Sequence, residues 1–149
     1  MKKAVSSENA PKAASFFSQA ILTANKYRLE LSGQIGLDPQ TSKLVEGGAG
    51  SQTEQIFKNI EAILSEVGWS FDHVIKTRVF LTSMGDYQDM NDVYSKKFGE
   101  TPPTRVAVAV KELPLGATVE IDCVAESNDV SEEAISKYVS EKLQNGDLN

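Results

Sequence analysis

The chain has 149 residues, of which 40% are apolar and 24% charged, and its formal net charge at pH 7 is −6. This length and composition predict one compact domain and exclude general disorder, which requires low hydrophobicity together with high net charge. The acidic balance, without a basic stripe, disfavours nucleic acid as a partner because Lys and Arg side chains dominate binding to phosphate backbones.

Cysteine and histidine usage limits the redox and metal chemistry. Cys123 is the only cysteine and His73 the only histidine, which excludes an intramolecular disulfide and a Cys/His zinc site. Residues 4–9 form no apolar segment after Lys2 and Lys3, and no long apolar run follows. We therefore expect a soluble, cytoplasmic protein with no metal and no membrane span.

Two strands are predicted in the first part of the chain. Residues 20–24 are mostly apolar, and residues 27–31 alternate apolar with charged side chains, which is typical of a half-buried strand. The turn residues between them predict a β-hairpin. Gly33 and Gly36 then indicate either a bulge or turn, or a close approach of the backbone to another group.

A helix is predicted after a loop at residues 38–50. Ser51 and Glu54 fit an S-x-x-E capping box at its start. Apolar residues then recur every three or four positions as far as Val67, and Gly68 stands where a glycine commonly ends a helix.

The second half predicts strands at residues 73–82, 104–110 and 118–125, with a helix at residues 84–98. The order of elements predicts an α+β fold, in which two helices pack on one face of a mixed sheet. Residues 131–143 have the spacing of an additional amphipathic helix with an acidic first turn.

Arg105 and Glu120 each place a charge inside an apolar or β-branched strand, and we expect both to face a common side of the sheet. The planar fork of an arginine can hold a carboxylate through two parallel hydrogen bonds, and a glutamate can orient or deprotonate water. The spacing also fits an ion pair between neighbouring strands, or two solvated side chains, so it does not by itself establish an enzyme.

Two segments carry a family resemblance. Residues 101–110 (TPPTRVAVAV) and 113–125 (LPLGATVEIDCVA) resemble the P-x-R-x-x-V and L-P-x-x-x-x-V-E-I-x-x-x-A signature of the reactive intermediate deaminase (Rid, or YjgF) family. The resemblance covers about residues 2 to 127 in register, and it includes residues 9–11 (NAP), 31–35 (LSGQI), 55–67, 74–77 (VIKT) and 91–94 (NDVY).

The resemblance implies a chorismate-mutase-like (YjgF-like) fold over residues 1–127, followed by an acidic, amphipathic helical extension at residues 128–149. It also implies a homotrimer whose small-molecule sites lie in clefts between subunits. Neither a metal nor an organic cofactor is implied.

The implied activity is hydrolysis of enamine or imine intermediates of 2-amino acids, the 2-aminoacrylate and 2-iminopropanoate class, to a 2-keto acid and ammonia. Arg105 matches the family's carboxylate-binding arginine, and Glu120 matches the glutamate that positions the attacking water. Further positions that match the family's ligand pocket are Ser32, Gly33, Asn91 and Tyr94.

Two positions depart from the family pattern. Phe17 stands where many members have tyrosine, and Ala107 stands where many deaminases have cysteine. Phe17 packs but cannot donate a phenolic hydrogen bond, and Ala107 removes a thiol. We expect these changes to affect substrate preference and rate.

The remaining chemically distinctive residues fit structural roles. His73 precedes a strand and is interpreted as a surface or structural residue. Cys123 lies on the apolar side of its strand and is assigned to the core. The helical stripe of Tyr87, Met90 and Phe98 is also assigned to the core.

Three alternative functions are considered. The same arginine could serve a non-catalytic trimer that binds small carboxylates such as 2-keto acids, which would also tolerate Phe17 and Ala107. A chaperone-like activity is compatible with a folded trimer. Endoribonuclease activity, which is attributed to parts of the family, is disfavoured by the acidic charge and the single histidine.

Overall fold

A mixed four-stranded sheet forms the centre of the structure, a computed structural model that describes residues 1–139. In chain order the elements are β1 (Lys2–Val5), β2 (Ala20–Thr23), β3 (Tyr27–Ile35), β4 (Leu37–Asp38), β5 (Lys43–Leu44), α1 (Gly48–Ser65), β6 (Val74–Leu81), α2 (Tyr87–Tyr94), β7 (Thr104–Ala109), β8 (Val119–Ser127) and α3 (Glu132–Ala134).

The spatial order of the central sheet is β3-β8-β6-β7. Strand β8 runs antiparallel to both of its neighbours, whereas β6 and β7 run parallel to each other. Helices α1 and α2 pack together against the apolar face of this sheet. The predicted α+β, chorismate-mutase-like fold is therefore confirmed.

The core lies between that face and the helices. Val119, Ile121 and Cys123 point into it from β8 and are at most 2% exposed. Phe57 on α1 meets the ring of Phe71 edge-on, with 5.5 Å between centroids. The alternation of β8 leaves its intervening residues on the opposite face of the sheet, as the sequence predicts.

The predicted start of α1 differs from the structure, whereas its predicted end agrees with it. The predicted capping box is wrong: Gly47, with φ of 103°, stands at the N-cap, and Ser51 lies inside the first turn. The helix begins earlier because glycine at this position adopts the left-handed conformation at low cost. At the other end the stop is confirmed, because Gly68 has φ of 77° and Trp69 N–H donates to the Leu64 carbonyl oxygen at 3.0 Å.

Strand pairing differs from the sequence prediction at the start of the chain. Strand β2 pairs with β1, and β3 pairs with β8, so the predicted hairpin at residues 20–31 is wrong. Strands β7 and β8 are not neighbours either, because β6 lies between them. A parallel β6–β7 pair requires a crossover connection, which α2 supplies, and this connection places β7 at the edge of the sheet.

The start of the C-terminal extension packs on the end of α1. The Asp129 carbonyl oxygen accepts a hydrogen bond from Trp69 Nε1 at 2.7 Å, and Ser131 N–H donates to the Val67 carbonyl oxygen at 3.1 Å. The Ser131 side chain caps α3, which continues into one wide helical turn at Ile135–Val139. The last part of the predicted helix, residues 140–143, lies outside the described residues. Within residues 1–139, no helix has the length and apolar character needed to cross a membrane.

Candidate functional site

Arg105 is the charged centre of one side of the molecule. Its register partner on β6 is Thr77, which is buried, so Arg105 points toward the helix-covered face. The guanidinium donates from Nη1 to Asn91 Oδ1 at 2.7 Å and from Nη2 to the Tyr87 hydroxyl at 2.6 Å. These bonds use two of the five guanidinium N–H groups, which leaves donors for an external acceptor.

Four aromatic rings surround the same guanidinium. Its central carbon lies 4.6 Å from the Tyr94 ring centroid and 4.7 Å from that of Phe16. The rings of Phe17 and Tyr87 are each 5.5 Å away. Aromatic faces attract a cation and exclude water from its flanks. The arginine is thus held in one orientation while it keeps its charge.

Tyr94 packs against Arg105, forms a hydrogen bond with Thr77 and remains protonated. Its hydroxyl lies 2.7 Å from Thr77 Oγ1, and burial is the main cause that raises the pKa of Tyr94 to about 12. A phenol with that pKa stays neutral near pH 7, so Tyr94 is not a proton acceptor in this site. Asn91 is likewise buried and serves as a neutral acceptor for Arg105.

A cleft of about 520 Å³ opens beside Arg105, with Thr104 and Phe17 in its walls. Ala107 lies two residues after Arg105 and pairs with the buried Val79, so it shares Arg105's face of the sheet. Ala107 packs against the core. It leaves more space on that face than a larger side chain would.

Glu120 lies on the other face of the sheet, so the expectation of a common side is wrong. Arg105 is paired with Thr77 and Glu120 with Phe80, and paired residues share a face. Thr77 and Phe80 are three positions apart on β6, so they point in opposite directions. Strands β7 and β8 are consecutive along the chain, but β6 lies between them in the sheet. The intervening β6 sets their relative register.

Gly33 and Ser32 belong with Glu120. The ladder between β3 and β8 is irregular between Leu31 and Gln34, which marks a β-bulge that contains both residues. A Cβ atom at Gly33 would overlap the Glu120 carboxylate, so only glycine permits this approach. Ser32 is exposed, and its carbonyl accepts a hydrogen bond from Gln34 Nε2 at 3.1 Å.

The predicted site residues therefore form two groups within one chain. The helix-side group contains Arg105, Phe17, Asn91, Tyr94 and Ala107. The opposite group contains Glu120, Gly33 and Ser32.

Two further residues contact Arg105 beside the helix-side group and were not predicted as site residues. Tyr87 was assigned to the core, yet its hydroxyl accepts a hydrogen bond from Arg105. Its position four residues before Asn91, one helical turn away on the same face, is the signal that could have identified it. Phe16 also contacts Arg105, and nothing in its sequence context separates it from an ordinary apolar residue.

The structural assignments of Cys123 and His73 are confirmed. Cys123 is buried, and burial raises the pKa of its thiol to about 12. The His73 ring stacks on Trp69, and its Nδ1 accepts a hydrogen bond from Ser70 N–H at 3.0 Å. Across residues 1–139, no three His, Cys, Asp or Glu side chains come together as a potential metal site.

Known proteins have similar sequences and the same fold. A family model described as Endoribonuclease L-PSP matches residues 7–127. A RutC family protein of Pyrococcus horikoshii is 45% identical over 84% of this chain and 98% of its own. The human 2-iminobutanoate/2-iminopropanoate deaminase is 37% identical over 84% of this chain and 90% of its own.

A solved structure of a related protein has the same fold. The crystal structure of RidA from the Antarctic bacterium Psychrobacter sp. PAMC 21119 is 38% identical and superposes with a TM-score of 0.64, covering 83% of this chain and 98% of its own. The signature strands, the fold and these matches agree, and the chain belongs to the Rid/YjgF family.

Proposed function

We propose that this protein hydrolyses reactive enamine and imine intermediates of 2-amino acids, of the 2-aminoacrylate and 2-iminopropanoate class, to 2-keto acids and ammonia. The observation that carries the proposal is Arg105, a fixed cation with free N–H donors beside an open cleft. Relatives named as 2-iminobutanoate/2-iminopropanoate deaminases support the reaction class.

Arg105 binds the substrate carboxylate in this proposal. Asn91 and Tyr87 restrain the fork, and the flanking rings keep water from competing for its donors. A planar fork forms two parallel hydrogen bonds with a carboxylate, which fixes the position of the adjacent imine carbon. Preorganisation of this kind reduces the entropy that must be lost on the way to the transition state.

Glu120 positions the attacking water, and it comes from a neighbouring copy of the chain. The two groups point away from opposite faces of one sheet, so one chain cannot direct both toward the same small molecule. A closed ring of copies, each offering its Arg105 side to the next copy's Glu120 side, resolves this separation. We therefore propose a homotrimer with sites between subunits.

The reaction itself is a hydrolysis. The enamine tautomerises to the imine, and water adds to the imine carbon while Glu120 accepts a proton from it and passes that proton to the imine nitrogen. The resulting amino alcohol loses ammonia as its C–N bond breaks and the carbonyl forms. One water is consumed, and one 2-keto acid and one ammonia are released.

The test generates 2-aminoacrylate with a pyridoxal-phosphate serine dehydratase in the presence of semicarbazide and follows semicarbazone formation. Wild-type protein should suppress the semicarbazone in favour of pyruvate, and Arg105→Ala and Glu120→Ala should each lose most of this suppression. Lys58→Ala and Glu61→Ala delete the same charges from exposed positions of α1 and serve as matched controls.

Failure of a folded wild-type protein to suppress the semicarbazone would contradict the deaminase proposal for this substrate. Calorimetry with pyruvate on the same preparation then separates two outcomes. Binding that requires Arg105 would favour a non-catalytic carboxylate-binding protein. No binding would also contradict the assignment of Arg105 as the carboxylate-binding residue.

A further inference from the structure

Resting on the proposed deaminase function, we propose that the cleft beside Arg105 selects 2-imino acids with large apolar side chains, such as those derived from leucine or phenylalanine, over the alanine-derived imine. The wall formed by residues 5–20 determines this selectivity.

The size and lining of the cleft support a large apolar group. At about 520 Å³, it lies within the range of pockets that enclose molecules much larger than a three-carbon acid. Arg105 stands at its edge, and its apolar lining residues are Val5, Ala10, Pro11, Ala13, Phe17 and Ala20. A carboxylate held by Arg105 would direct the rest of the ligand along these side chains.

Polar side chains of the wall already form hydrogen bonds with backbone groups of the protein. Gln19 Oε1 accepts from Ser7 N–H at 2.6 Å, and its Nε2 donates to the Pro11 carbonyl oxygen at 2.7 Å. The Ser18 hydroxyl donates to the Pro102 carbonyl oxygen at 2.6 Å. These bonds leave few polar groups for a ligand and fix the loop in place, so the cleft favours an apolar occupant.

A side chain next to Arg105 adds to this preference. Phe17 lines the cleft with a ring that has no hydrogen-bonding group. An alanine-derived imine would leave most of the cleft to water, whereas each added methylene gains favourable burial.

Lys12 provides the rival interpretation. It is exposed at the rim of the same cleft and could pair with a second carboxylate, which would favour a glutamate-derived imine. Its ammonium is strongly hydrated and has a flexible stem, so it is a weaker determinant than the fixed wall. The test includes this substrate.

The experiment measures turnover and binding separately. An L-amino acid oxidase generates the imines of leucine, phenylalanine, alanine and, where the oxidase accepts it, glutamate, and semicarbazide competition gives relative kcat/KM values. Calorimetry on the same protein compares 4-methyl-2-oxopentanoate, phenylpyruvate, pyruvate and 2-oxoglutarate. We expect the leucine- or phenylalanine-derived imine and its keto acid to exceed the alanine-derived pair by at least about tenfold.

Variants of the wall connect the preference to the cleft. Ala13→Trp fills the space and should reduce the large-to-small ratio at least about fivefold, and Ala10→Phe provides a second filling variant if Ala13→Trp does not fold. Ala62→Trp on the exposed side of α1 is the matched control and should leave the ratio unchanged.

The outcomes separate the two proposals. Turnover of every imine with equal or greater preference for the alanine-derived one would overturn the selectivity and leave the deaminase function intact. Preference for the glutamate-derived imine or for 2-oxoglutarate would also overturn it, in favour of Lys12. Tighter binding of the bulky keto acids without turnover of any imine would instead contradict the deaminase function.

Discussion

The two faces of the central sheet hold their charged residues in opposite ways. On the helix side, Arg105 is partly buried, has two hydrogen-bond acceptors and is surrounded by four rings. On the other side, Glu120 lies over the backbone of Gly33, beside the bulge in β3. Arg105 is held in one orientation by its own hydrogen bonds and ring contacts. Glu120 takes its position because Gly33 has no side chain.

This difference suggests how the work is divided in the proposed site. A carboxylate-binding cation gains from rigidity, because its target has a fixed planar shape. A carboxylate that handles water needs room for the water itself. Since the two lie on opposite faces, the proposed chemistry depends on how copies of the chain meet.

Mixing two inactive variants tests whether Arg105 and Glu120 of one site come from different copies of the chain. It has the largest expected effect on activity. Arg105→Ala and Glu120→Ala should each be nearly inactive alone, while co-expressed mixed assemblies should regain activity. Random 1:1 mixing would give both native groups, each from a different copy, to about a quarter of all sites and to about a third of the sites in mixed trimers. The semicarbazide assay on doubly tagged, co-purified assemblies measures the recovery. Verified mixed assemblies that stay inactive would argue that one chain supplies both groups.

Gly33→Ala tests the Glu120 face. The added methyl group overlaps the Glu120 carboxylate, and the flexible side chain should move aside while the fold persists. Misplacing a reacting group by about 1 Å can cost roughly a hundredfold in rate, so we expect kcat to fall by about that factor. Gly50→Ala on α1 is the matched control, because its Cβ would make only an ordinary contact with Asp89. Full activity of Gly33→Ala would show that the position of Glu120 is not important.

Tyr87→Phe tests the rigidity of the Arg105 face. The variant keeps the ring and removes the hydroxyl that accepts from Arg105 Nη2. Hydrogen bonds to charged groups contribute about 1.5 kcal/mol, so we expect kcat/KM to fall about tenfold, mainly through a higher KM. Tyr94→Phe is the comparison: it loses the bond to Thr77 and should lower stability by about 1 kcal/mol with a smaller change in KM. Equal KM effects in both variants would indicate general loosening of the pocket.

The sequence predicts the layers of the fold better than the pairing of its strands. Apolar periodicity identifies α1 and the alternation in β8, because burial leaves a local trace. Pairing partners leave a weaker trace, and the predicted hairpin of β2 and β3 does not form. The expected common face of Arg105 and Glu120 is wrong because β6, which lies between β7 and β8, sets their relative register.

The site is predictable to the same extent. Arg105 and Glu120 are identified through the resemblance of their strands to the family signature. Tyr87 and Phe16 are not, because a core stripe and an apolar doublet have the same pattern whether they pack on a neighbour or on a guanidinium. Recognising them requires knowing that β7 lies beside β6, with α2 over its start.

Truncation after Ser127 is expected to have the smallest effect on chemistry, because the described extension contacts neither charged face. It packs at the end of α1, where Trp69 donates to the Asp129 carbonyl oxygen and the buried Ala134 follows the Ser131 cap, and Asn128 accepts from Lys26 N–H just before β3. Losing this partly buried hydrogen bond and the associated apolar packing should lower the free energy of unfolding by about 2 kcal/mol. Lys137→Ala removes the exposed pair with Glu66 and the contact with the Tyr138 ring, and it should lower the free energy of unfolding less than the truncation does. Thermal unfolding and the semicarbazide assay measure the two quantities. A truncated protein that keeps its stability but loses activity would place the extension in the site, because the structural role described here acts on stability alone.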